Sequence, residues 1–167
     1  MGRGVALAAA LLAAAALAAS VLLCGCSKNR PDWRILQLYS GETSADLLLH
    51  PAKVQMFRLA APGTPTGAVH AGPYAAAGDP VELTAAQAAE MSAILADPAT
   101  YDWQRVKQVP FVPKVGVWFV RGAYILEVAL DLDSAQIGVY AGGQALGSQG
   151  IDAARARIAA VAGAALK

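Results

Sequence analysis

Cysteine is nearly absent from this chain, with only Cys24 and Cys26 among 167 residues. From residue 27 onward no disulfide can form and no cysteine cluster can hold a metal, so burial of apolar surface must hold the fold. Histidine is equally scarce. His50 and His70 stand alone and in no metal-ligand spacing. Charge of either sign is low and balanced, 13 Lys and Arg against 12 Asp and Glu. That balance gives no electrostatic footprint for nucleic acid. The phosphate-loop ending Gly-Lys-Ser/Thr is missing from the Gly-rich stretch 142–150, which reads as a turn and a helix start. Ser40, Ser44, Asp46 and His50 include triad residue types, but no nucleophile-elbow sequence surrounds either serine. No catalytic motif stands out, and neither a cofactor nor a metal is expected.

What the chain does have is an uncharged run. After Arg3, residues Val5 to Leu23 are Ala, Leu and Val almost throughout, with Ser20 the polar interruption. Such a run partitions into lipid and engages export machinery. Its length lies between an export signal and a spanning helix. The sequence Leu23-Cys24-Gly25-Cys26 follows at once and resembles the lipobox of bacterial lipoproteins. In that motif an aliphatic residue stands at −3 and a small residue before the modified cysteine. Cys26, after Gly25, fits; Cys24, after Leu23, does not. The resemblance implies that residues 1–25 are a signal peptide, recognised through Leu23, Cys24 and Gly25. It also implies that Cys26 carries a diacylglycerol and further acyl groups such as palmitate. Several chains anchor firmly where one would not. An uncleaved anchor and ordinary cleavage are the competing readings. Ser27 stands where an Asp would favour inner-membrane retention, so the expected location is the periplasmic face of the outer membrane.

Cleavage before Cys26 leaves 142 residues, enough for one domain with a core. Loss of Arg3 makes that part neutral. Residues 26–32 form a linker with about 20 Å of reach at ~3.3 Å per residue, which holds a domain at 33–167 against the bilayer. Trp33 to Tyr39 reads as a strand or a helical turn. Ser44 to His50 reads as a helix stopped by Pro51, and Val54 and Met56 mark a strand. The Gly- and Pro-rich stretch 62–80 holds an extended edge segment at Ala68 to Tyr74. Thr84 and Gln87 have capping-box spacing ahead of a helix with Ala88, Met91 and Leu95 on one face. Val115 to Arg121 is apolar on both faces and reads as a central strand. Gly122 turns the chain into a second strand, on which Leu126, Val128 and Leu130 oppose Glu127, Ala129, Asp131 and Asp133. A third strand, Gln136 to Tyr140, ends at the Gly142-Gly143 turn. A final helix starts near Ile151 or Asp152. The expected fold class is α+β, an antiparallel β-meander packed with two or three helices on one side.

Val109-Pro110-Phe111-Val112-Pro113, the hairpin after it and Ala129-Leu130-Asp131-Leu132 resemble a loose group of uncharacterised small exported bacterial proteins. There a Cys-Phe-x-Pro segment precedes a hairpin whose second strand carries Cys-Phe-x-Cys. Phe111 and Pro113 match the first segment, and Asp131 sits in the acidic slot of the second. Pro110, Ala129 and Leu132 replace the cysteines, so the chemistry those cysteines would perform is absent here.

Two sets of polar residues are candidate sites. Glu127, Asp131 and Asp133 share one strand face, where successive same-face positions lie about 6.6 Å apart, so Asp131 and Asp133 could share a cation or act as an acid–base pair if this is not the solvent face of the sheet. His70 and Tyr74 in the Gly- and Pro-rich stretch are candidate surface contacts. Together these observations point to a non-enzymatic envelope lipoprotein that contacts the bilayer through its acyl groups and binds an envelope protein or peptide, not nucleic acid. The alternatives are a small carboxylate-dependent hydrolase or metal-binding protein, and an inhibitor lipoprotein with its contact on Pro62 to Pro80.

Overall fold

Two of the four α-helices among the described residues begin at a short polar side chain that satisfies a free backbone N–H. A computed structural model describes residues 31–167, which fold as one unit. In α1 (Trp33–Leu38) the Asp32 carboxylate accepts the Arg34 amide, and Ile35 and Leu38 turn inward. That settles Trp33 to Tyr39 as helix. In α2 (Glu42–Leu49) the buried residues are Ala45, Leu47 and Leu48, and the helix stops at His50 ahead of Pro51. The capping box of α3 (Ala85–Ala96) forms as its spacing requires: Thr84 Oγ1 accepts the Gln87 amide, and Gln87 Oε1 accepts the Thr84 amide. Asp97 then caps a single 3₁₀ turn, Pro98–Thr100. The last helix, α4 (Arg155–Ala165), starts later than the sequence suggests. The Ile151 amide is held by the Ala135 carbonyl, so the chain is still leaving the sheet there.

The strands are β1 (Lys53–Arg58), β2 (His70–Ala71), β3 (Tyr74–Ala75), β4 (Val81–Glu82), β5 (Val115–Arg121), β6 (Tyr124–Asp131), β7 (Gln136–Ala141) and β8 (Gln144–Gly150). Six of them form one antiparallel sheet in the order β4-β1-β5-β6-β7-β8, and β5 to β8 are a meander. The register puts Val117, Val128 and Val139 in one row and Phe119 opposite Leu126. These side chains and Val54, Met56, Leu130 and Ile137 form the main core with Ile35, Leu48, Met91, Ile94, Leu95, Ile158 and Val161 from the helices. Each such side chain removed from water contributes about 1.5–3 kcal/mol before entropy is counted. The α+β meander with helices on one face is thus the fold.

Three sequence expectations need correction. The first concerns β8, where a turn and a helix start were expected. Gly142 and Gly143 both take positive φ, +55° and +77°, which makes a tight turn whose twist suits a hairpin. The chain therefore returns alongside β7. The second concerns Ala68 to Tyr74, which is no edge of the main sheet. It folds on itself as the hairpin β2–β3, turned by Gly72-Pro73 with φ +57° at Gly72. The third follows from the second. The face carrying Glu127, Ala129 and Asp131 is not a solvent face, because this hairpin and the Phe111 segment lie over it. Phe57, Leu59, Ala71 and Ala129 form a second, smaller core there, edged by Tyr74, Phe111, Trp118 and Tyr140.

Candidate functional site

Glu127 stands at the middle of the covered face, on the central strand β6, and only 3% of it is exposed. A buried carboxylate needs donors, and it has them. Oε2 accepts the Gly72 amide at 2.7 Å, and Oε1 accepts the Gly143 amide at 3.2 Å. The carboxylate thus ties the turn of the covering hairpin to the turn between β7 and β8. His70 closes the other side, with Nε2 3.7 Å from Glu127 Oε2 and Nδ1 3.2 Å from the Gly67 carbonyl. A proton on Nδ1 satisfies that second contact. The Trp118 indole donates to the His70 carbonyl at 2.6 Å and packs edge-on against Phe57. Tyr74 meets Phe111 and Tyr140 edge-on, and burial, reinforced by Tyr74 and the Glu127 charge, pushes the Tyr140 hydroxyl up to about 12. Gly72 must be glycine twice over. Besides its positive φ, a Cβ would lie 2.4 Å from the Tyr140 ring.

His70, Tyr74 and Glu127, which the sequence offers as separate candidates, therefore meet in one cluster. Asp131 and Asp133 do not join it. Asp131 ends β6, and its carboxylate organises the next turn: Oδ1 accepts the Asp133 and Ser134 amides, and Oδ2 accepts the Val112 amide at 2.9 Å. Burial pushes this carboxyl up, but bonds from Ser134, Val112 and Asp133 outweigh it and hold the group below its ordinary range. Asp133 lies in the turn rather than on the strand, largely exposed, and pairs with Lys114. Among the described residues no three His, Cys, Asp or Glu side chains are gathered to hold a metal. Glu127 and Asp131 serve as acceptors for backbone amides, and Asp133 as a partner for Lys114.

Other charged side chains are also partnered. Arg121 binds Asp46, and Lys107 binds Asp152 and the Ser134 carbonyl. His50 sits 3.9 Å from Asp46 at the end of α2. Of the stretch 62–80, the part from His70 to Ala75 is spent covering the sheet, while residues 61–68 are exposed.

What the sequence does not announce is the open side of the sheet. Among the described residues β8 pairs with β7 alone, and its outer edge is engaged only at Gly150, whose carbonyl accepts the Asp102 amide. Grooves flank it on both faces. One, of about 460 Å³, is lined by Trp33, Arg34, Leu38, Trp103 and Leu146. The other, of about 360 Å³, is lined by Phe111, Gly138, Tyr140 and Ala145. Leu146, Gly147 and Ser148 line both. Trp33 is 69% exposed at the rim of the first groove. The signal for this edge lay in the Gly142-Gly143 turn signature, followed by a stretch free of proline and charge.

Leu23, Cys24, Gly25 and Cys26, with most of the 26–32 linker, lie outside the described residues. Within the described part no helix is long and apolar enough to cross a membrane. Comparison with protein-family models, curated protein sequences and solved structures returned no match.

Proposed function

We propose that this chain is a bacterial envelope lipoprotein, tethered through acyl groups on Cys26, whose folded body binds an envelope protein or peptide and performs no chemistry of its own. The lipobox-like sequence Leu23-Cys24-Gly25-Cys26 supports the tether. One observation carries the rest. Glu127 and Asp131, the buried carboxylates a hydrolase or cation site would have to use, are engaged by backbone amides on both oxygens, while among the described residues a sheet edge with a groove on each face stays open. Side-chain chemistry requires a group with unspent hydrogen-bonding capacity facing a space that substrate can enter. Binding requires only shape and unpaired donors and acceptors, and β8 offers both. Six residues separate Cys26 from Trp33, which lines the helix-side groove beside that edge.

The tether is tested in a Gram-negative host fed labelled palmitate. The full chain should take up label, lose the mass of residues 1–25 and sediment with outer membranes. The Cys26→Ser form should do none of these. Equal processing and sedimentation of the two forms would remove the lipoprotein reading.

A further inference from the structure

We infer that β8 is a docking edge for an extended peptide, which adds as a seventh strand and places alternate side chains in the two flanking grooves. This deepens the binding role proposed above and rests on it, but does not depend on the lipid.

The two edges of the sheet differ in kind. At one edge β4 is two residues long, follows Pro80 and carries Glu82, three devices that discourage pairing. At the other, β8 runs for seven residues, Gln-Ala-Leu-Gly-Ser-Gln-Gly, with no charge and no proline. It is the longer edge and carries none of these three devices, although a bulge interrupts its pairing with β7. Its backbone groups alternate in direction. Because Gly150 turns its carbonyl outward to Asp102, Ser148, two residues back in the same ladder, presents its N–H and C=O outward as well. The Asp102 bridge is a one-residue start of the strand that a peptide would continue.

An added strand projects successive side chains to opposite faces. Each face has a receptacle. On the helix side it is walled by Trp33, Trp103 and Leu146, and on the other side by Phe111 and Tyr140. Main-chain bonds then supply affinity, and alternate side chains supply selectivity. Aromatic walls suit bulky apolar residues in the peptide. A bulge lies between Val139 and Tyr140, where Ala145 and Gly147 face consecutive residues of β7 and leave Leu146 as the extra one. Leu146 thus takes part in both grooves.

A second copy of the chain is a poorer occupant. A β8-to-β8 contact is a strip about 20 Å long and about 10 Å across. Such a strip covers on the order of 200 Å² per chain, against ~800 Å² in a stable interface. It would also bring only Ala145, Leu146, Ser148 and Gln149 to grooves sized for aromatic side chains.

The test uses the full chain in detergent micelles and a phage-displayed library of random twelve-residue peptides. Selected peptides should alternate bulky apolar residues with others. Their binding should slow hydrogen exchange at the Ser148 amide. Ser148→Pro removes that outward donor and leaves the β7 ladder intact, since proline is tolerated where an edge N–H faces solvent. It should weaken binding at least tenfold with the melting temperature nearly unchanged. Trp33→Ala, at an exposed rim position, should weaken peptides that carry an aromatic residue several-fold. Peptides that bind Ser148→Pro as well as wild type, or protect amides elsewhere, would overturn the β8 assignment while leaving a binding role standing. A selection that enriches no peptide would overturn both. Concentration-dependent dimerisation that protects Ser148 would replace the peptide with a second copy.

Discussion

The Glu127 carboxylate accepts the Gly72 amide at 2.7 Å across 55 positions of sequence, and this bond fastens the β2–β3 hairpin to the sheet. A second turn, at Gly143, hangs on the other oxygen of the same group. Removing the acceptor strands the buried Gly72 amide and frees the more exposed one of Gly143. A hydrogen bond to a charged group contributes about 1.5–3 kcal/mol, and an orphaned buried donor is costlier than the bond itself is worth. Glu127→Ala should therefore lower stability by about 2–4 kcal/mol in urea titration. Glu127→Gln keeps one acceptor oxygen and should lose less than Ala. Equal, small losses for both variants would mean that the hairpin is held by Trp118 and Phe57 packing alone.

Ser92 presents the opposite case. On α3, its buried hydroxyl has no hydrogen-bond partner among the described residues, and it borders a groove of about 700 Å³ lined by Ala85, Ala88, Ala89 and Ala93. An unsatisfied polar atom disfavours burial, and serine is a weaker helix former than alanine. Ser92→Ala should raise stability by about 1 kcal/mol, read as a higher thermal midpoint. A loss of stability would show that the hydroxyl is satisfied in solution, by water entering that groove.

Tyr39 and Tyr101 make a buried chain. Tyr101 donates its hydroxyl proton to the Leu95 carbonyl at 2.6 Å, so Tyr39 must be the donor in the 2.9 Å contact between the two hydroxyls. Burial pushes both groups well above the ordinary tyrosine range. In the unfolded chain they ionise near 10. The unfolded state thus loses its protons first. Stability is complete below about pH 10 and falls as the pH rises toward the folded values. Absorbance of tyrosinate from this pair should appear only as circular dichroism is lost, and Tyr39→Phe should flatten the alkaline fall. Ionisation of both groups near pH 10 in a chain that is still folded would refute this.

Much of this arrangement is written locally, and some is not. Thr84 and Gln87 mark α3 because a capping box needs only four residues. The strands from Val115 to Tyr140 show themselves because β-branched and aromatic residues crowd them, and the Gly122 turn and the break after Asp131 divide them. Gln144 to Gly150 has none of those residues. It becomes a strand because Gly142-Gly143 folds it back on β7, a tertiary reason rather than a propensity. Glu127 and Asp131 look like solvent-facing residues for a similar reason. Alternation of polar with apolar residues is the same whether water or a backbone amide covers the polar side. The 55-residue return of Gly72 decides for Glu127 and the approach of Val112 for Asp131, and no alternation along the strand reports either.

Asp131 and Asp133, two positions apart, should respond differently to the same substitution. Asp131 accepts three backbone amides, and those bonds hold its pKa below the ordinary range despite burial. A lowered folded pKa contributes stability above the unfolded value of about 3.9. That contribution is lost as pH falls through the folded value. Asp131→Ala should lower stability by about 2–4 kcal/mol at pH 7, since it orphans the amides of a turn already strained by φ +51° at Ala135. The difference from wild type should shrink below pH 4. Asp133→Asn, exposed beside Lys114, should leave the urea midpoint unchanged. Millimolar magnesium, calcium or zinc should not move the melting temperature of the wild type, because Asp131 has no oxygen free of backbone donors. A rise of several degrees that vanishes in Asp131→Asn/Asp133→Asn would mean the turn opens to bind a cation, and the carboxylates would then have a role beyond holding the chain in place.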